Sequence, residues 1–303
     1  LVHDTTVSGV RMDGRFLPAE RVILATGGLA YPGTGSTGDG FAMAQRLGHT
    51  VVQPRPGLVP LDTVDKTPAL LEGLTLRNIR LTFAAGKHAL RSEIGELVFT
   101  ATGVSGPLVL TLSGAVVDML STESPVYLYI DVKPALSRDE LDRRLQRECA
   151  RSGTRIIKTV MEELLPRRMV GVMLDACGVA GTCRAAALPR GQRLAIVSAL
   201  KAFRLTVRAS RSFREAMITR GGISLKEIDP RTMQSRLVKG LYFCGEIIDV
   251  DADTGGFNLQ AAFSTGYLAG TSAGSLGRAA ELPRRTPSHP TCPRQEIGRG
   301  ATS

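Results

Sequence analysis

The sequence predicts an α/β protein whose parallel-sheet part is divided between the two ends of the chain and interrupted by an inserted antiparallel and helical block. Three observations predict it. A strand, glycine loop and helix unit stands near the N-terminus, a second follows residue 240, and the stretch between them passes from short alternating apolar runs to helical periodicity. The 303 residues are about twice a usual ~150-residue domain, enough chain for more than one core.

Composition narrows the class. A hydrophobic fraction of 43%, 22% charged residues, 33 glycines and 16 prolines form an ordinary globular balance and exclude a fibrous chain. The longest apolar stretch, Leu108 to Leu120, is broken by Thr111, Ser113 and Asp118 and is short of the ~20 residues of a membrane span. The cysteines (Cys149, Cys177, Cys183, Cys244, Cys292) lack C-x-x-C spacing, and His3, His49, His88 and His289 form no H-E-x-x-H pair, so a transition-metal centre lacks its ligands. Reduced thiols and an opening without signal-peptide character predict a cytoplasmic protein.

In chain order, Val7–Val10 and Arg15–Ala19 flank Met12-Asp13-Gly14 as a hairpin, and Arg21–Ala25 reads as a buried strand ending in Thr26-Gly27-Gly28. The run Gly33 to Gly40 is a loop with glycine at 33, 35, 38 and 40. A helix then carries Phe41, Ala44 and Leu47 on one face, with Thr37 or Asp39 as cap. Pro54-Arg-Pro-Gly57 punctuates the chain, giving a first domain part over 1–56. Alternation in Leu74–Phe83 and Val126–Ile130 predicts antiparallel strands across 58–133. The capping box Ser137-x-x-Glu140 opens a helical block, about 135–184. Leu194–Phe203 reads as a further helix, with Leu205–Val207 and Ala216–Thr219 as strands rejoining the antiparallel layer, so the insert covers 57–219. The last part, 220–276, contains the strand Leu241–Gly245 and the helix from Asn258 to about Ala273. Residues 277–303 are rich in Arg, Pro, Ser and Thr and are expected to be disordered.

Ligands of open α/β sheets bind beyond the carboxyl ends of strands, where loops enter helix N-termini. Thr26–Gly40 and Gly245–Gln260 are two such places. No lysine follows the glycines, so the phosphate-loop pattern fails, and Asp249-Val-Asp251-Ala-Asp253 has Thr254 and Gln260 where a calcium loop needs Gly and Glu. Glu246 is placed either to accept hydrogen bonds from sugar-like hydroxyls or to stand as a solvated strand-end carboxylate.

Taken together these segments resemble one family. Ala25-Thr-Gly-Gly28, Tyr31–Gly40, Gly48-His49, Leu58-Val-Pro-Leu61, Gly95–Thr100, Gly103–Pro107, Arg220-Gly-Gly222, Gly240–Asp249, Asp251–Gln260 and Ser264-Thr-Gly266 resemble the BaiN-like or aminoacetone oxidase-like NAD(P)/FAD-dependent oxidoreductases, over residues 1 to about 272. The resemblance implies a glutathione-reductase-like FAD-binding domain interrupted by a small antiparallel β-barrel (57–134 and 185–219) and a helical subdomain. It implies FAD as cofactor, with NAD(P)H as a possible donor. Carried over residue by residue, Thr26, Gly27 and Gly28 match the strand end beside FAD. Gly35, Ser36, Thr37, Gly38 and Asp39 match the glycine loop. Gly245 and Glu246 match the ribityl or pyrophosphate region, and Gly255, Gly256, Asn258, Leu259 and Gln260 match the helix start under the flavin ring. Two departures stand out. The family's first strand and G-x-G-x-x-G turn would lie upstream of residue 1, so the chain reads as an N-terminally truncated member lacking that phosphate anchor. Ala101 replaces the usual histidine after Phe99-Thr100.

The net charge of +10 raises the prior for an anionic partner. From Cys183 to Arg214 there are Arg184, Arg190, Arg193, Lys201, Arg204, Arg208, Arg211 and Arg214 and no acidic residue, but Phe203 and Phe213 are the run's only aromatics, too few to interleave it for base stacking. The expected function is hydride transfer through flavin N5 to or from a small organic substrate, with no membrane partner and no protein acid or base assigned. The alternative is a non-enzymatic basic or RNA-binding module related to tRNA-modifying flavoproteins.

Overall fold

The computed structural model describes residues 1–151 and 154–275; the tail expected to be disordered, 277–303, lies outside the described residues. β1 (Val2–His3) pairs with β2 (Thr6–Val7), and β3 (Gly9–Met12) with β4 (Arg15–Pro18). Met12 faces Arg15 across Asp13 and Gly14, whose φ of 49° and 78° are the two left-handed positions a two-residue hairpin turn requires. β5 (Val22–Leu24) leads to α1 (Asp39–Arg46), whose N-cap is Gly38 with no side-chain bond; the caps expected of Thr37 or Asp39 are not made.

β6 (Val51–Gly57) contains Pro54 and Pro56, so the segment expected to be a punctuating loop is a strand. Prolines are tolerated there because the ribbon has only one partner strand. Next come β7 (Leu61–Thr63), α2 (Thr67–Leu70), β8 (Thr75–Ala85), β9 (His88–Phe99), β10 (Gly103–Ser105), α3 (Pro107–Thr122) and β11 (Val126–Asp131). α3 departs from the strands expected across 58–133. Its sequence is apolar on several faces and shows no clean period, and Pro107 starts the helix where its missing N–H costs nothing. It packs against β8, β9, β10 and β11 and against the later strand Phe203–Ser210.

The helical block holds α4 (Arg138–Arg151), α5 (Ile157–Met161), α6 (Arg167–Ala176) and α7 (Arg190–Lys201). The capping box forms: Ser137 N donates to Glu140 Oε2 at 2.8 Å and Glu140 N to Ser137 Oγ at 3.2 Å. β12 (Phe203–Ser210) then completes a closed antiparallel barrel in the order β10-β7-β12-β11-β8-β9. Inward residues such as Leu81, Phe83, Leu128, Ile130 and Leu205 share one core with α4–α7.

β13 (Ile218–Ile223) does not rejoin the barrel as expected; it pairs antiparallel with β6. The cause is local, because a bulge falls between Arg220 and Gly222, and Gly222 has φ 134°. A Cβ there would stand 2.6 Å from Ile247 O. β14 (Leu241–Phe243) pairs in parallel with β5, Leu241 opposite Val22 and Phe243 opposite Leu24, and α8 (Gly255–Gly274) packs on both. A second core gathers Phe41, Ile223, Leu241, Phe243 and Ile247. Among the described residues no helix is long and apolar enough to cross a membrane.

His49 closes this second core. Ser235 Oγ accepts from Leu237 N and Val238 N, so its own proton goes to His49 Nε2 at 2.7 Å, leaving Nδ1–H to face Ala44 O at 3.3 Å. Burial holds this imidazole below its ordinary pKa. The unfolded chain takes up a proton near pH 6.5 and the folded one does so only lower, so the stabilisation is complete above that pH and is lost as pH falls. Urea midpoints should therefore drop between pH 7.5 and 5.5, with a shallower drop in His49→Gln; equal slopes in the two proteins would remove His49 from the pH response.

Candidate functional site

The parallel pair β5 and β14 sets the starts of the two glycine-containing loops side by side beyond their carboxyl ends, the usual ligand position in such sheets. Their shared pin is Thr219 of β13, 1% exposed. Its Oγ1 accepts from Leu29 N at 2.7 Å and Ala30 N at 3.0 Å, and its backbone N–H donates to Glu246 Oε1. Gly28 lies against it: a Cβ at 28 would meet Thr219 Oγ1 at 2.4 Å. The glycine loop is packed on the same strand end, with Gly40 against Thr26 and Ile247 and Ser36 beneath Gly27.

After β14 a single 3₁₀ turn, Gly245–Ile247, carries Glu246 half-buried into a cleft of about 250 Å³, whose wall includes Ile218, Gly245, Glu246, Gly255, Asn258 and Leu259. Burial pushes the Glu246 carboxyl up, opposed by hydrogen bonding from Thr219. The far side is the N-terminus of α8. Thr254 Oγ1 accepts from Phe257 N, while the Gly255 and Gly256 amides have no hydrogen-bond partner among the described residues. A Cβ at either glycine would meet nothing within 4 Å. Asn258 holds the preceding loop: Oδ1 accepts from Ala252 N at 3.1 Å, and Nδ2 donates to Ala252 O at 2.7 Å and Thr254 O at 2.8 Å.

A second cleft of about 320 Å³ adjoins the first at Ile218 and is lined by Thr111 and Asp118 of α3 and by Arg220 and Asp251. Arg220 ties the insert to the acidic loop, donating through Nη1 to Gly114 O at 2.7 Å and Nη2 to Asp118 Oδ2 at 3.0 Å, with Nε 3.4 Å from Asp251 Oδ2. Asp118 also takes Arg55 at 2.7 Å, and the two guanidiniums outweigh burial to hold its carboxyl below the ordinary range.

Of the residues singled out by sequence, Gly245, Glu246, Gly255, Asn258 and Leu259 meet on one cleft. Thr26, Gly27, Gly28, Gly35, Ser36, Thr37, Gly38 and Asp39 belong to the neighbouring strand end and loop and, like Gly256 and Gln260, are not on the cleft wall. Gln260 instead donates to Ser264 Oγ at 3.1 Å. Sequence reading missed Thr219 and the Arg220 cluster; only the proximity of Thr219 to the Arg220-Gly-Gly222 segment pointed that way. Half of the basic run is paired: Arg193 with Asp142 and Lys201 with Asp131, each at 2.7 Å, while Arg211 and Arg208 share Asp62 at 3.2 and 3.7 Å.

The family model described as HI0933-like protein Rossmann domain matches residues 2–272. The chain is 31% identical over 264 residues to a 3-dehydro-bile acid delta(4,6)-reductase of Clostridium scindens, covering 87% of this chain and 64% of that protein. It is 32% identical over 250 residues to a ribosomal RNA dihydrouridine synthase of Haemophilus influenzae (82% and 59% covered). The Escherichia coli protein of the same name is 30% identical over 272 residues (88% and 64%). The chain thus spans less than two thirds of the length of these relatives.

Proposed function

Because the chain belongs to the HI0933-like protein Rossmann domain family, we propose that it is a flavin-dependent oxidoreductase that binds FAD in the Glu246–Gly255 cleft and reduces an activated carbon–carbon double bond. The observation that carries this reading is the pair of unpartnered amides at Gly255 and Gly256, on a 20-residue helix. Gly255 lines, together with the half-buried Glu246, a partly apolar cleft, and Gly256 follows it in the first turn of the helix. Free N–H groups and the helix dipole favour a negative ligand edge, here the N1–O2 side of a reduced ring. Bound there, FAD would supply hydride transfer at N5, refilled by NAD(P)H.

The chain's own residues bind and orient. Glu246 accepts from ribityl-type hydroxyls, Gly255 and Gly256 donate to the anionic edge, and Ile218 and Leu259 exclude water. The adjoining cleft beside Arg220 receives the substrate. The names of the relatives place the reduced bond in a bile acid in one case and in a base of ribosomal RNA in the other two, and the shared element is the alkene.

Anaerobic stopped-flow absorbance tests this. FAD-loaded protein should bleach with NADH or NADPH and recolour with an α,β-unsaturated ketone. Bleaching by primary amines alone, with oxygen required for recolouring, would instead make it an amine oxidase.

A further inference from the structure

Alternate residues of the barrel strands point outward, and strand register decides which become neighbours. On the outer face Tyr129 of β11 lies between Thr82 of β8 and Arg204 of β12, and Thr82 is opposite Arg91 of β9. One pleat along, Tyr127 lies between Ala84 and Thr206. The two rings are 6.3 Å apart and tilted by 49°, and the Arg204 guanidinium sits 5.2 Å from the Tyr127 centroid. The other cross-strand neighbours, Thr82, Ala84 and Thr206, are small, and both tyrosines are partly exposed.

The charge on this face is unbalanced. Arg80 is opposite Asp131, but that carboxylate is taken by Lys201 at 2.7 Å. Among the described residues, the side chains of Arg80, Arg91 and Arg204 make no ion pair or hydrogen bond. The sheet therefore brings tyrosines and arginines from four strands together on one face.

We propose that this outer face of β9, β8, β11 and β12 binds a single-stranded RNA segment, with bases stacked on Tyr127 and Tyr129 and phosphates on Arg80, Arg91 and Arg204. Stacking platforms flanked by cations suit unpaired bases, whose faces a duplex hides. The surface shares no residue with the flavin cleft. The proposal goes beyond the oxidoreductase reading, and either can fail alone.

Fluorescence anisotropy with a labelled oligouridylate of about 12 nucleotides tests it. The chain should bind this probe more tightly than duplex RNA or polyglutamate. Tyr127→Ala with Tyr129→Ala should weaken binding roughly five- to a hundredfold, while the double phenylalanine variant retains it. Arg91→Ala should make the log–log salt slope shallower by about 0.7. FAD affinity and melting temperature should not change in any of these variants. No binding to the oligouridylate, equal binding to duplex or polyglutamate, or full affinity in the double alanine variant would overturn the proposal.

Discussion

Thr219→Val should lower stability by roughly 2–5 kcal/mol, although it preserves side-chain shape. The hydroxyl accepts from two backbone amides, Leu29 N and Ala30 N. Valine leaves both donors without an acceptor in a site only 1% exposed, at about 1–3 kcal/mol each. No water can replace it, because the valine methyl occupies the vacated position. With about 2–4 °C of midpoint per kcal/mol in a protein of this size class, the melting temperature should fall by roughly 5–15 °C. Thr219→Ser keeps the hydroxyl and should recover most of the loss. Calorimetry showing Thr219→Val within about 1 °C of the parent would mean that the strand end at 26–30 is held by something else.

Some of this architecture is written in local sequence. The β8 alternation, the Ser137–Glu140 box and the Asp13-Gly14 turn each act over a few residues, and so they are legible. α3 was not, because a segment apolar on several faces carries no period, and its identity is set by the barrel it packs against. The pairing of β13 with β6 was not legible either. Its alternation suits any antiparallel partner, and the choice is made by the bulge at Gly221–Gly222 fitting against Ile247 O.

The site divides in the same way. Glycines at strand ends announced the two loops, and family resemblance supplied Gly245, Glu246 and Gly255. Thr219 is one hydroxyl in an ordinary strand, and its importance comes from where Leu29 and Ala30 arrive. The basic run illustrates the opposite error: its charges stand unopposed in sequence because Asp62, Asp131 and Asp142 come from distant segments. The exposed tyrosine and arginine face is likewise built from segments that are remote in the chain.

The central claim is that the α8 N-terminus and Glu246 enclose the flavin. Gly255→Val tests it most directly, because this residue lines the cleft and a Cβ there touches no protein atom within 4 Å. Valine costs the helix nothing relative to glycine, so folding should be retained. Its branched side chain would fill the space beside the free amides, as overpacking does in any close-fitting site. Equilibrium titration of FAD, followed by quenching of flavin fluorescence, should show affinity at least about tenfold weaker in Gly255→Val, with Gly255→Ala intermediate and melting temperatures unchanged in both, equivalent to about 1.4 kcal/mol or more. FAD bound by Gly255→Val as tightly as by the parent chain would contradict the account.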